Sequence, residues 1–155
     1  MKKIRLAIAG VGNCASSLVQ GLEYYKGQNE GAFAGLMHPR IGDWGPSDIE
    51  IVAAFDIDRR KVGKRVEEAI FAKPNCTKIV QSALPISDVV VRMAPVLDGV
   101  ASHMADYPDD EAFRPSDEEP VDVVQTLKHA KAEVLVCYMP VGPEAAVRHS
   151  AHAVL

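Results

Sequence analysis

The chain has 155 residues, 48% of them apolar and 25% charged, with a formal net charge of −4. That length suffices for one domain with a real core, and is short for a nicotinamide enzyme carrying a separate substrate domain. The acidic balance offers no basic footprint for nucleic acid, and no apolar run approaches membrane-spanning length, so neither partner is expected.

The chain opens on Lys2 and Lys3, which could imitate a signal peptide, but the apolar run that follows is broken at once by Gly10 and Gly12. Cys14, Cys76 and Cys137 are odd in number and lack the paired spacing of a zinc site, which suits reduced thiols in the cytoplasm. Residues 4–9, IRLAIA, are the near-continuous apolar run of a parallel strand buried on both faces. The run breaks into Gly10-Val11-Gly12-Asn13-Cys14-Ala15, then resumes at helical spacing through Leu18, Leu22 and Tyr25 over 16–25. A pyrophosphate rests on bare N–H groups at a helix N-terminus. Gly10 would make the tight turn, Gly12 would admit the phosphates, and Ala15 would let helix and strand pack closely. Such a glycine pattern is weak alone; its place between a strand and a helix gives it weight.

Residues 26–48 show no sustained period and read as a long inserted loop, either a substrate-side lid or a sign that the element boundaries are misplaced. The second strand is 49–55, ending at Asp56. A carboxylate at that strand tip would face an adenosine ribose, accept from its 2′-hydroxyl and repel a 2′-phosphate, favouring NAD over NADP. Arg59, Arg60 and Lys61 follow directly; they read either as a 2′-phosphate site or as the solvated first turn of a helix over 59–71.

A third strand is expected at 88–93 and a surface loop at 104–115. Ser116-Asp117-Glu118-Glu119 has the form of a capping box, with Pro120 in the first turn and Val121, Val124, Leu127 and Ala130 as an apolar stripe. Residues 133–138 give a fourth strand, and Met139 to Pro143 turn into a last helix whose apolar face is Val147, Ala151 and Val154. Alternating strands and helices with right-handed crossovers build half of a doubly wound parallel α/β sheet in the order 3-2-1-4, with a ligand between Gly12 and Tyr138 at the switch point. The outer flank of the fourth strand then calls for further strands or a partner, and a homo-oligomer is expected.

Four segments together resemble the N-terminal half of the bacterial and archaeal type of myo-inositol-phosphate synthase (inositol-3-phosphate synthase). They are GVGNCASSLVQGLEYY at 10–25, GLMH at 35–38, VAAFDID at 52–58 with RKVG at 60–63, and EPVDVVQTLKHAKAEVLVCYMPVG at 119–142. The resemblance implies a Rossmann-like NAD-binding domain over 1–155, incomplete on its C-terminal side, with the catalytic and oligomerisation half of the family absent. It implies NAD as cofactor and conversion of D-glucose 6-phosphate to 1D-myo-inositol 3-phosphate by oxidation, enolisation, aldol cyclisation and reduction, a step toward inositol phospholipids. It places no catalytic residue in this chain. The alternative is a stand-alone NAD-binding or regulatory module without turnover.

Carried over by position, the family's cofactor contacts fall on Gly10, Gly12, Asn13 and Cys14, on Asp56 at the ribose, and on Tyr138 after the fourth strand. Glu118 stands near the cofactor where the family tends to have a small residue. Tyr138 reads equally as a partly buried strand-end aromatic, and Cys14 as a small helix residue rather than a reactive thiol. His149 and His152 lie three apart on the last helix without a third ligand and read as a solvated pair, so no metal is expected. His38, in the inserted loop, is a candidate for substrate-side work without a visible partner.

Overall fold

The structure, a computed structural model, describes residues 3–26, 28, 34–140 and 142–153. Strands β1 (Ile4–Ala9), β2 (Ile49–Asp56), β3 (Val91–Met93) and β4 (Val134–Cys137) form one parallel sheet in the order β3-β2-β1-β4. The expected α/β class and the strand order 3-2-1-4 are therefore both found. Helix α1 (Asn13–Lys26) follows β1, α2 (Val66–Ala69) follows β2, α3 (Val123–His129) follows β3, and α4 (Glu144–His152) follows β4.

Alternation of side chains along the strands divides the core into two layers. Ile8, Ala54 and Val91 pack with Val11, Ala15 and Val19 and with Val66, Ala69 and Ile70, so α1 and α2 cover one face. Ala7, Ala53 and Phe55 pack with Val123 and Leu127 of α3 on the other. Burial on both faces explains why β1 and β2 read as largely apolar runs, interrupted only by Arg5 and Glu50 before Asp56 closes β2. A polar seam accompanies the first layer. Gln20, fully buried on α1, accepts from the Val80 and Gln81 N–H groups at 2.8 and 3.1 Å and donates to Ser16 Oγ at 3.1 Å, tying the 78–81 segment to the helix.

The helix expected over 59–71 shrinks to α2. Gly63 has φ +80° and donates its N–H to the Val91 carbonyl at 2.9 Å, while Val91 N–H returns to the Lys64 carbonyl, so 63–66 runs beside β3 instead of coiling. β3 covers only the last three of the six residues expected at 88–93. Ser116 does not cap α3. The cap is Asp122, whose side chain accepts from Gln125 N–H at 2.9 Å, because Val121 N–H is bound to the Met93 carbonyl and holds the preceding segment extended. The inward stripe of α3 accordingly falls on Val123 and Leu127.

On α4 the buried residue is Ala146, whereas Val147 and Ala151 are exposed; Val154 of the expected apolar face lies outside the described residues. Asp98 sets this orientation by accepting from Ala145 and Ala146 N–H at 2.8 and 2.9 Å. The 104–115 stretch is not wholly superficial, since Ala112 is fully buried. Residues 27, 29–33 and 141 of the expected loops lie outside the described residues. The described loop residues 34–48 lead into the N-terminal end of β2, where Lys3 Nζ donates to the Ser47 carbonyl at 2.5 Å. Among the described residues no helix is long and apolar enough to cross a membrane.

Candidate functional site

The C-terminal ends of β1, β2 and β4 open into a cleft bounded by Gly10 and Gly12 on one side, Ala94 to Val96 on a second, and Tyr138, Met139 and Ala146 on a third. This is the position at which the strand order reverses, β4 and β2 lying on opposite sides of β1. No described residue of the inserted loop lines the cleft. The described part of the loop, 34–48, leads into β2 at the opposite end of the sheet, so for these residues the substrate-side lid reading is corrected, and exposed His38 stands outside the cleft lining.

The two glycines of the turn have different reasons for being there. Gly10 has φ +95°, and a Cβ on it would lie 2.9 Å from the carbonyl carbon and oxygen of Tyr138. The fold itself requires that glycine. Around Gly12 a Cβ would meet nothing within 4 Å, and the residue accepts Ser16 N–H at 2.9 Å into the first turn of α1. No contact within the fold requires a glycine at 12, and the residue is one of those that line the cleft.

Val11, between them, is held by both of its backbone groups. Its N–H donates to Asp56 Oδ2 at 2.6 Å, and its carbonyl accepts Asn75 Nδ2 at 3.1 Å. The other oxygen of Asp56 accepts Ile57 and Asp58 N–H at 2.7 and 2.8 Å. Three of the roughly four lone-pair directions of this carboxylate are thus spent on backbone. Asp56 lines the cleft as expected from its strand-tip position and also fastens the turn above it.

The basic run after β2 is neither a solvated helix turn nor a free anion site. Asp58, fully buried, accepts from Arg60 Nε and Nη2 at 2.9 and 2.6 Å and from the N–H groups of Arg60 and Arg114 at 2.8 and 3.2 Å. Burial pushes the Asp58 carboxyl up, but the Arg60 guanidinium and these N–H groups outweigh it and hold the group below its ordinary value. Arg60 also reaches the carbonyls of Asp109 and Ala112, and Arg114 reaches those of Met104 and Tyr107. The loop before α3 is pinned in this way. Lys61, 3% exposed, turns inward and donates to Asn75 Oδ1 at 2.9 Å. Arg59 is the exposed member and pairs with Asp109 at 3.3 Å.

The remaining sequence-derived residues fall out as follows. Asn13 lines the cleft, but its side chain works as a clasp: Oδ1 accepts Cys76 N–H at 2.8 Å and the Thr77 hydroxyl at 3.1 Å. Cys14 is exposed at the start of α1, and all three cysteines are unpaired. Tyr138 lines the cleft and packs on the layer formed by Val11 and Ile8. Glu118 lies elsewhere, with Oε1 3.2 Å from where a Cβ of Gly63 would be, and is not a lining residue. His149 lines the cleft, and among the described residues no three His, Cys, Asp or Glu side chains gather as a metal site. Sequence reasoning missed Asn75, Lys61 as an inward group, and Asp98; nothing in their immediate neighbours signals those roles.

No protein-family model matches the chain. It is similar to curated relatives named inositol-3-phosphate synthase: 50% identical over 145 residues to that of Mycolicibacterium smegmatis, covering 93% of this chain and 38% of the relative. To that of Corynebacterium glutamicum it is 48% identical over 153 residues, covering 98% and 40%. Among solved structures it resembles Ari2, with a TM-score of 0.78 at 36% identity over 98% of this chain and 43% of that one. It also resembles a myo-inositol-1-phosphate synthase-related protein from Thermotoga maritima, with a TM-score of 0.63 at 25% identity, over 88% and 34%. The resemblance read from the sequence is borne out, and the chain spans about two fifths of the length of the curated relatives it matches.

Proposed function

We propose that this chain is the NAD-binding part of an inositol-3-phosphate synthase, with residues 1–155 forming a Rossmann-like cofactor domain. The observation that carries the reading is the contrast between the two glycines: Gly10 is demanded by the approach of Tyr138, whereas Gly12 leaves open a space that the protein itself does not use. A pyrophosphate against Gly12 and the first N–H groups of α1 accounts for that space. Bound NAD supplies reversible hydride transfer. In this chain Gly10, Gly12, Asn13 and Cys14 form the phosphate turn, Asp56 takes the ribose with its remaining lone-pair direction, and the Tyr138 ring closes the side toward β4. Glu118, standing outside the cleft, has no part in this reading.

Selection of NAD over NADP follows from commitments already made around Asp56. Arg60 is occupied by Asp58 and Lys61 by Asn75, so these two cations are not offered to a 2′-phosphate, and exposed Arg59 is paired with Asp109. The reaction would be conversion of D-glucose 6-phosphate to 1D-myo-inositol 3-phosphate, in the cytoplasm and in a homo-oligomer, with catalytic groups supplied from outside these residues.

Thermal unfolding of the chain titrated with NAD and, in parallel, with NADP tests the assignment. At a ligand concentration about a hundred times Kd, mass action adds about 2.7 kcal/mol. That corresponds to a rise in Tm of about 5–10 °C for a chain of this size. A rise with NAD that NADP does not match is the expected result. Equal shifts would overturn the selectivity, and no shift with either would overturn the cofactor assignment. Inositol phosphate formation from glucose 6-phosphate by this chain alone would overturn the placement of catalysis elsewhere.

A further inference from the structure

We propose that Lys61 is a positioning residue for the glycine turn: through Asn75 and Asp56 it holds the peptide groups of Val11 so that Gly12 and the start of α1 face the cleft. This rests on the cofactor reading above for its consequence, though not for its geometry.

The geometry is a closed circuit. Val11 N–H ends on Asp56 Oδ2 at 2.6 Å, and the Val11 carbonyl ends on Asn75 Nδ2 at 3.1 Å. The same Nδ2 donates to the Ile70 carbonyl at 3.0 Å, so both acceptors on that side need the amide nitrogen, not its oxygen. Lys61 Nζ binds Asn75 Oδ1 at 2.9 Å and stands 4.0 Å from Asp56 Oδ2. An ammonium carries donors only, so it dictates which end of the Asn75 amide faces it, and hence that the nitrogen faces Val11. Its charge attracts the Asp56 carboxylate from the same point.

Packing does not account for a lysine here. A buried ammonium carries a desolvation cost that an apolar side chain of similar length would avoid. Burial lowers the Lys61 pKa, with Asp56 and Asp58 opposing that shift and Arg60 adding to it. These are the charged groups around Lys61, and they place its titration below that of an exposed lysine. The ammonium is retained where it orients the two side chains that grip the one residue between the glycines.

The test uses the whole chain as wild type, Lys61→Arg, Lys61→Gln and Lys61→Met. Amide hydrogen exchange without ligand is the first readout. Lys61→Gln and Lys61→Met are expected to lower protection of Val11 N–H by about tenfold or more while Ala7 and Ile8 in β1 keep theirs. NAD titration from about pH 7 to pH 10 is the second readout. Wild-type affinity should fall at the alkaline end, Lys61→Arg should bind without that fall, and Lys61→Gln should bind weakly at every pH. Unchanged Val11 protection overturns the proposal, and so does a loss spread evenly over β1 and β2, which would mark a merely structural lysine. If the wild type binds no NAD, the cofactor reading fails, and Val11 protection still decides the role of Lys61.

Discussion

The carbonyl of Tyr138 passes Gly10 so closely that a Cβ on the glycine would lie 2.9 Å from its carbon and its oxygen. The turn after β1 and the exit of β4 therefore form a single wall of the cleft, made by backbone against backbone. Gly10→Ala meets that wall and a φ of +95°, so it should cost at least about 1–3 kcal/mol. Gly12→Ala meets neither, and should leave stability within about 0.5 kcal/mol while weakening NAD binding. Chemical denaturation and NAD titration of the two variants side by side check the contrast. A Gly12→Ala chain that binds NAD as well as wild type would remove Gly12 from the site.

Asp58 holds Arg60 and the loop before α3 from a fully buried position. Removing one partner of such a pair strands the other, and Asp58→Asn should cost about 3–5 kcal/mol by urea denaturation.

The same carboxyl makes stability depend on acid. Its folded pKa lies below the unfolded value of about 3.9, so its contribution is complete above that value and is lost as pH falls through the folded one. Glu67, lowered by the Ser87 N–H and hydroxyl against the effect of burial, acts in the same direction. Stability measured downward from about pH 5 should fall in this window, and Asp58→Asn should flatten the fall. An unchanged slope would mean that Asp58 keeps its pKa on folding.

Asp56 fastens the turn and faces the cleft at once, so its removal should be felt twice. Asp56→Ala should lower stability by about 1–3 kcal/mol, because Val11 N–H loses its partner in a largely buried place. It should also narrow the preference for NAD over NADP in a fluorescence titration. A stable variant with unchanged preference would make Asp56 dispensable to both tasks.

Asp98 lies at the surface, and its carboxyl is held below its usual value by the N–H groups of Ala145 and Ala146. Asp98→Ala should speed hydrogen exchange at Ala145 and Ala146 selectively, with β1 and β2 unaffected. Uniform exchange changes would contradict a local capping role.

By itself the sequence determined the glycine turn and where the strands fall, β3 being shorter than expected, because these are written in adjacent residues, and the strand order followed from the alternation of strands and helices. The apolar runs at 4–9 and 49–55 bury both faces, and turn residues punctuate a chain whose crossovers have one hand. The family resemblance was equally legible, since it rests on contiguous segments. Only the tertiary structure decided what the polar residues do. Arg60 and Lys61 looked like a solvated turn until Asp58, Asn75 and the 109–114 loop were brought against them, and α4 took its orientation from Asp98, 48 residues before Ala146. The grip of Asn75 on Val11 spans 64 residues. Local periodicity reports which side of an element is apolar. The partner of a buried charge or amide is set by chain crossings far away in sequence, and no spacing in the neighbouring residues encodes it.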